Sequence, residues 1–282
     1  MRSEGRMQNA ASRDSHHAPR STLHASRPCS RAFTMIEIAL SLAIIGFAMI
    51  AIIGVLPIGM GTQQANREET IINQDATMLI DAIRSGALGL DDLTNYVFAI
   101  TNTVTQYNDR MIAQNSWQNG YTTTSSSTTP QFPLTNGLRI VGLLSTPKYL
   151  PWSGGRGGGG ILSNHVVAYV RSMSGPAGEK FPQDNASVQD LSFSYRVTSE
   201  VVPYWTNYFD PSWVNSPAYL ATVNNLSNNL HDVRLLFRWP LRSRGQLGPG
   251  GQSFRTLVGG RLLQTNDIGH TLYFFEPRTY VR

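Results

Sequence analysis

The sequence predicts an α+β protein in which a long N-terminal helix, half membrane-spanning and half amphipathic, packs on an antiparallel β-sheet head. Three observations predict it. An uncharged, mostly apolar run extends from Ile38 to Gly61, an amphipathic stretch from Gln63 to Arg84 continues it, and the second half of the chain carries short runs of alternating apolar residues. A chain of 282 residues has room for one such helix and one globular domain of ordinary size.

The first element is a basic leader. Of the chain's net charge of +5, residues 1–32 supply +4, from six Arg against Glu4 and Asp14, leaving +1 for residues 33–282. The basic character therefore belongs to the leader, and no nucleic-acid partner is expected. Arg on one side of an apolar helix marks the cytoplasmic side, so the head is expected across the membrane. The single cysteine, Cys29, lies in this leader, and Arg27, Pro28, Ser30 and Arg31 surround it where a lipidation site needs apolar residues. The head, without disulfides, must rely on its core and its partners.

The apolar run would measure roughly 36 Å as a helix at ~1.5 Å per residue. That exceeds the ~30 Å hydrocarbon core of a bilayer. A secretory signal has a shorter apolar region ending in a small-residue cleavage site, so the segment reads as a retained anchor. Gly46, Gly54, Pro57, Gly59 and Gly61 lie within it. Either they reflect the usual Gly and Pro content of membrane helices, or they let the segment bend when it leaves the bilayer.

From Gln63 the pattern turns amphipathic, with Ile72, Ala76, Leu79 and Ile83 on one stripe. Arg84 suits the negative end of the helix dipole and Gly86 suits a stop, so the helix is expected from Thr34 to Ser85. Residues 87–137 read as an irregular polar connection, because Asn102–Gly137 is rich in Asn, Thr, Gln and Ser with little apolar periodicity.

Residues 138–282 read as the head. Strands are expected at Leu138–Leu144, His165–Arg171, Val188–Val202, Val233–Trp239, Phe254–Leu263 and Thr271–Phe275. Two alternate cleanly: Leu191, Phe193, Tyr195 and Val197 face one way, as do Val233, Leu235, Phe237 and Trp239. One-sided burial at period two predicts antiparallel strands with one wet face, and the dry face offers a seat for the helix stripe.

The functional signal lies at Arg31-Ala32-Phe33-Thr34-Met35-Ile36-Glu37, where one acid enters the start of a segment otherwise uncharged from Ile38 to Asn66. A charge within a membrane span costs roughly 2.5–3.5 kcal/mol on insertion scales, so it calls for a partner. The alternative is an acid at the edge of an ordinary anchor, reaching the headgroups.

The stretch Ala32-Phe33-Thr34-Met35-Ile36-Glu37-Ile38, with its basic leader and apolar run, resembles the type IV pilin-like family, which includes the prepilins of pili and the pseudopilins of type II secretion. Ala32 stands where that family usually has Gly. The resemblance covers about Arg31 to Arg84. It implies a pilin-like fold, cleavage between Ala32 and Phe33 by a prepilin peptidase, and N-methylation of Phe33. It also implies that Glu37 pairs with the amine of a neighbouring subunit. The expected partners are thus the prepilin peptidase, other pilin-like subunits and inner-membrane lipid, with the N-terminus cytoplasmic and the head periplasmic. The expected function is structural, as a minor subunit of a pilus or pseudopilus. The alternative is an uncleaved, membrane-anchored binding module.

No catalytic role is expected. His231-Asp232 and His165 lack a nucleophile elbow and read as surface residues, and Ser153–Gly160 lacks the Lys and helix of a phosphate-binding loop. Asn266-Asp267 offers too few acids for calcium, so neither metal nor cofactor is expected. The aromatic cluster Tyr204, Trp205, Tyr208, Phe209, Trp213 and Tyr219 reads either as a satellite core under a loop or as a contact surface.

Overall fold

The computed structural model describes residues 33–86, 91–122, 131–154, 158–174, 193–204, 216–242, 245–267, 270–277 and 279–280. The chain divides into two compact units, one ending at Gly59 and the other beginning at Met60.

Helix α1 spans Met35–Ser85 with Pro57 inside it. Pro57 has no N–H to donate, so the carbonyl of Ile53 loses its helical partner. The helix ends where the sequence places the stop: Gly86 has a φ of 69°. An added Cβ there would lie 2.7 Å from the carbonyl oxygen of Phe275, so this glycine answers both a left-handed backbone and a close approach.

In the second unit the sheet order is β3-β2-β1-β5-β6-β7-β8, with β4 also beside β5. The strands are β1 (Val97–Asn108), β2 (Ala113–Thr122), β3 (Gln131–Pro133), β4 (Tyr149–Gly154) and β5 (Gly158–Arg171), then β6 (Ser194–Pro203), β7 (Leu230–Leu241) and β8 (Leu247–Gly259). A separate antiparallel pair joins β9 (Arg261–Asp267) to β10 (His270–Glu276). The sheet is mixed rather than purely antiparallel, because β2 and β3 run parallel. Strand β5 is long enough to pair β1 along one edge and both β4 and β6 along the other. Gly160 permits this, since a Cβ there would collide with the carbonyl oxygen of Tyr107 on β1.

One face of the sheet is dry. Tyr195 and Val197 on β6 and Val233, Leu235 and Phe237 on β7 are fully buried, whereas Leu236 points to the other face and is exposed. Onto the dry face pack Ile72, Ala76, Leu79 and Ile83 of α1, all fully buried within the same core. Each large aliphatic side chain so buried contributes about 2 kcal/mol from water exclusion.

Three departures from the sequence reading have physical causes. Leu138–Leu144 is not a strand: helix α3 (Gly137–Leu144) occupies it, with the Asn136 side chain accepting from Arg139 N at 2.9 Å as an N-cap. A short apolar run fits a buried helix as well as a strand, and here the cap decides. The connection 87–137 is not irregular throughout: after a short α2 (Leu93–Tyr96), β1 and β2 pair from Ala99↔Thr122 to Tyr107↔Ala113. Their polar residues are held by the ladder between neighbouring strands rather than by an apolar stripe. Finally, Phe254–Leu263 is two strands, broken at Gly259-Gly260. Helix α4 (Pro217–Asn229) has Pro at its first turn, where the missing N–H is harmless.

Candidate functional site

The chain's N-terminal described residues form one candidate site. Thr34 precedes the first helical residue and Glu37 is the third, the spacing of a capping box. The Glu37 carboxylate accepts from Thr34 N and from Thr34 Oγ1, each at 3.4 Å, while Glu37 N donates to Thr34 O at 3.0 Å. Both side-chain bonds are long and solvent-exposed, so the carboxylate keeps acceptor capacity beside the positive end of the helix dipole. Phe33 is 75% exposed, and Ala32 lies outside the described residues. The structure thus sets Glu37 two residues beyond Met35, within reach of Thr34.

Below Glu37 every residue from Ile38 to Met60 is exposed. The large apolar ones include Leu42, Ile45, Phe47, Ile50 and Ile53. Soluble monomers rarely expose apolar patches above a few hundred Å², so a fully uncovered apolar helix requires lipid or protein around it. It is long and apolar enough to cross a membrane. A Cβ added at Gly46, Gly54, Gly59 or Gly61 would touch nothing within 4 Å, so no contact among the described residues explains these glycines.

A second site was missed in the sequence. Asp75, fully buried on the docking stripe of α1, accepts hydrogen bonds from Met173 N at 2.9 Å, Ser174 N at 2.8 Å and Tyr195 Oη at 2.9 Å. Burial pushes its carboxyl above the usual carboxylate value, and the hydrogen bonds pull part of the way back. Burial also raises the Tyr195 phenol well above its usual value, and the neighbouring Asp75 adds to this. The signal was present: Asp75 falls three residues after Ile72 and four before Leu79, on the apolar stripe itself.

The remaining candidates take structural roles. His231 and Asp232 are buried at the start of β7, not on the surface. Burial lowers the His231 pKa from 6.5 to about 4, and its ring packs edge-on against Phe275 at 5.3 Å. Burial pushes the Asp232 carboxyl up, but hydrogen bonds from Arg255 at 2.8 Å and Arg234 at 2.6 Å outweigh it and hold the group below its usual range. His165 is exposed on β5. Asp267 is engaged by the buried Arg139 of α3 at 2.6 Å, and Arg139 also donates to the carbonyl of Pro133. Asn266 accepts from Thr271 at 3.2 Å. Among the described residues no group of three His, Cys, Asp or Glu could hold a metal ion. Of the aromatic cluster, Trp205, Tyr208, Phe209 and Trp213 lie outside the described residues. Tyr204 N donates to Leu230 O at 2.8 Å, and Tyr219 lies on α4.

No protein-family model, curated protein or solved structure matches the chain.

Proposed function

We propose that this chain is a structural subunit, a minor one, of a type IV pilus or a type II secretion pseudopilus. The observation that carries the reading is an exposed carboxylate, Glu37, at the N-terminal end of a helix whose apolar surface is uncovered down to Met60. Inner-membrane lipid covers that surface before assembly and the helices of neighbouring subunits cover it afterwards. A prepilin peptidase cuts between Ala32 and Phe33, the new Phe33 amine is methylated, and the amine of one subunit pairs with Glu37 of the next. An unpaired charge among apolar helices is costly and a paired one is tolerated, so the pairing fixes the stagger between subunits. The head lies on the periplasmic side, in keeping with the leader's +4 on the cytoplasmic side.

One observation favours a second reading, an uncleaved anchor carrying a binding module. Glu37 already has a partner in its own chain, the Thr34 cap. Substitution separates the two roles. A capping box accepts Gln as well as Glu, whereas pairing with an amine needs the charge. Glu37→Gln is expected to leave membrane insertion intact and to abolish recovery of the chain in sheared filament fractions. Filament incorporation at the level of the unsubstituted chain would mean that Glu37 acts as a cap, and would sink the pairing.

A further inference from the structure

In the second unit, a cleft of about 480 Å³ opens between the dry face of the sheet and the β9-β10 pair. That volume falls within the range of small-ligand pockets, roughly 300–1,000 Å³. Its floor comes from β1 and β5, its near wall from β2, and its far wall from β10, with Asn102, Asn164, Trp117, Asn119, His270 and Tyr273 supplying the polar and aromatic groups.

The floor is unsatisfied at one atom. Asn102 Nδ2 donates to Asn164 Oδ1 at 3.2 Å, and Asn164 Nδ2 donates to Pro147 O at 2.9 Å. That chain of bonds leaves Asn102 Oδ1 with no partner among the described residues, although Asn102 is only 8% exposed. A buried acceptor left unpaired costs about 1–3 kcal/mol, so the cleft calls for a donor from outside.

The walls define the donor's chemistry. Among the described residues no Asp, Glu, Lys or Arg lines the cleft. Of the titratable rings that do, His270 is held towards its neutral form, first by burial and then by the charge of Arg139, and burial pushes the Tyr121 and Tyr273 phenols up. Trp117 is 42% exposed and stands one row along from Asn119 on the same face of β2. A neutral cleft with amides at its base and a free indole at its lip matches a sugar. Hydroxyls both donate and accept, and the apolar face of a pyranose packs on an aromatic ring. A peptide fits less well. The floor strands β1 and β5 are each paired on both edges, which leaves no main-chain edge there for strand addition.

We propose that this cleft binds a neutral saccharide, with one pyranose ring stacked on Trp117 and one hydroxyl donating to Asn102 Oδ1. Asn119 and Asn164 flank that hydroxyl and orient the ring. The proposal concerns the second unit alone and holds whether or not the chain assembles into a filament.

The test uses the full chain in an amine-oxide detergent, since glycoside detergents would compete. Lactose, maltotriose, mannotriose and chitotriose are titrated by calorimetry and by saturation-transfer NMR, with sialyllactose and an Asn-rich neutral peptide alongside. At least one neutral sugar is expected to saturate below roughly 10 mM, and Trp117→Ala and Asn102→Ala each to weaken it about tenfold. Asn119→Ala, at a half-exposed position, gives a further readout should Asn102→Ala fail to fold. Three results would overturn the proposal. They are no saturation by any of the four neutral sugars, affinity unchanged in Trp117→Ala and Asn119→Ala, or tighter binding of sialyllactose or the peptide than of every neutral sugar.

Discussion

Removing the Asp75 carboxylate tests how α1 is fastened to the sheet. In Asp75→Ala, at least three donors lose their acceptor at once, Met173 N, Ser174 N and Tyr195 Oη, and the Ser174 side chain loses it too. Asp75 and Tyr195 are fully buried and Met173 is 6% exposed, so water does not readily replace the carboxylate. At about 1–3 kcal/mol per unsatisfied buried donor, the gross loss is some 3–9 kcal/mol. Part returns, because burial already disfavours the ionised carboxyl. The net expectation is a loss of about 3 kcal/mol. Tyr195→Phe deletes one donor and leaves the carboxylate those of Met173 and Ser174, so it should lose only about 1 kcal/mol. Asp75→Asn falls between, since an amide oxygen accepts while its NH₂ faces a donor. Urea unfolding of the detergent-solubilised chain, followed by tryptophan fluorescence, gives the ranking. The pH dependence gives an independent sign. Because the folded-state pKa is raised, the native state keeps its proton where the unfolded chain has lost it, so stability falls as pH rises from 3.8 through the folded value. Asp75→Asn should lack that fall. Equal or higher stability of Asp75→Ala would refute the account of this carboxylate as a helix-to-sheet clamp.

Two further outcomes follow from buried positions in the head. Gly142→Ala gains about 1 kcal/mol of helix propensity but sets a Cβ 2.7 Å from the Phe274 ring and 2.9 Å from Leu272 Cβ, an overpacking that costs about 1–3 kcal/mol, so the melting temperature should fall. A higher melting temperature would show that β10 yields freely to α3. For His231, whose pKa is lowered to about 4, the unfolded chain takes up the proton first. Stability should therefore drop as pH falls from 6.5 towards 4, and His231→Leu should flatten that drop in pH-dependent thermal melts.

Legibility in the sequence follows how local each signal is. Helix α1 was readable because its stripe, its Gly86 stop and its apolar length are all written in consecutive residues. Strands β6 and β7 were readable because Tyr195, Val197, Val233, Leu235 and Phe237 alternate with polar neighbours. Helix α3 was not, since eight mostly apolar residues fit a buried strand as well as a helix, and all but Leu138 are buried, Arg139 included. Strand β1 hid for the opposite reason. Its buried positions are Val97, Ile100, Asn102 and Val104, and the polar Asn102 breaks the alternation because its partner Asn164 lies 62 residues away. Of the candidate sites, Glu37 stood out as a charge beside an apolar run, whereas its contact with Thr34 emerged only from the structure. Asp75 was legible only to a reading that asks why an acid sits on an apolar stripe. The cleft at Asn102 was invisible, since His270 reaches it from far along the chain through tertiary pairing.

The central claim, processing and assembly as a pilin-like subunit, is tested most directly by the mass of the mature N-terminus. In a host with an active prepilin peptidase, the purified chain should begin at N-methylated Phe33, with residues 1–32 absent. A chain that retains residues 1–32, in cells where a second prepilin is fully processed, would contradict the account.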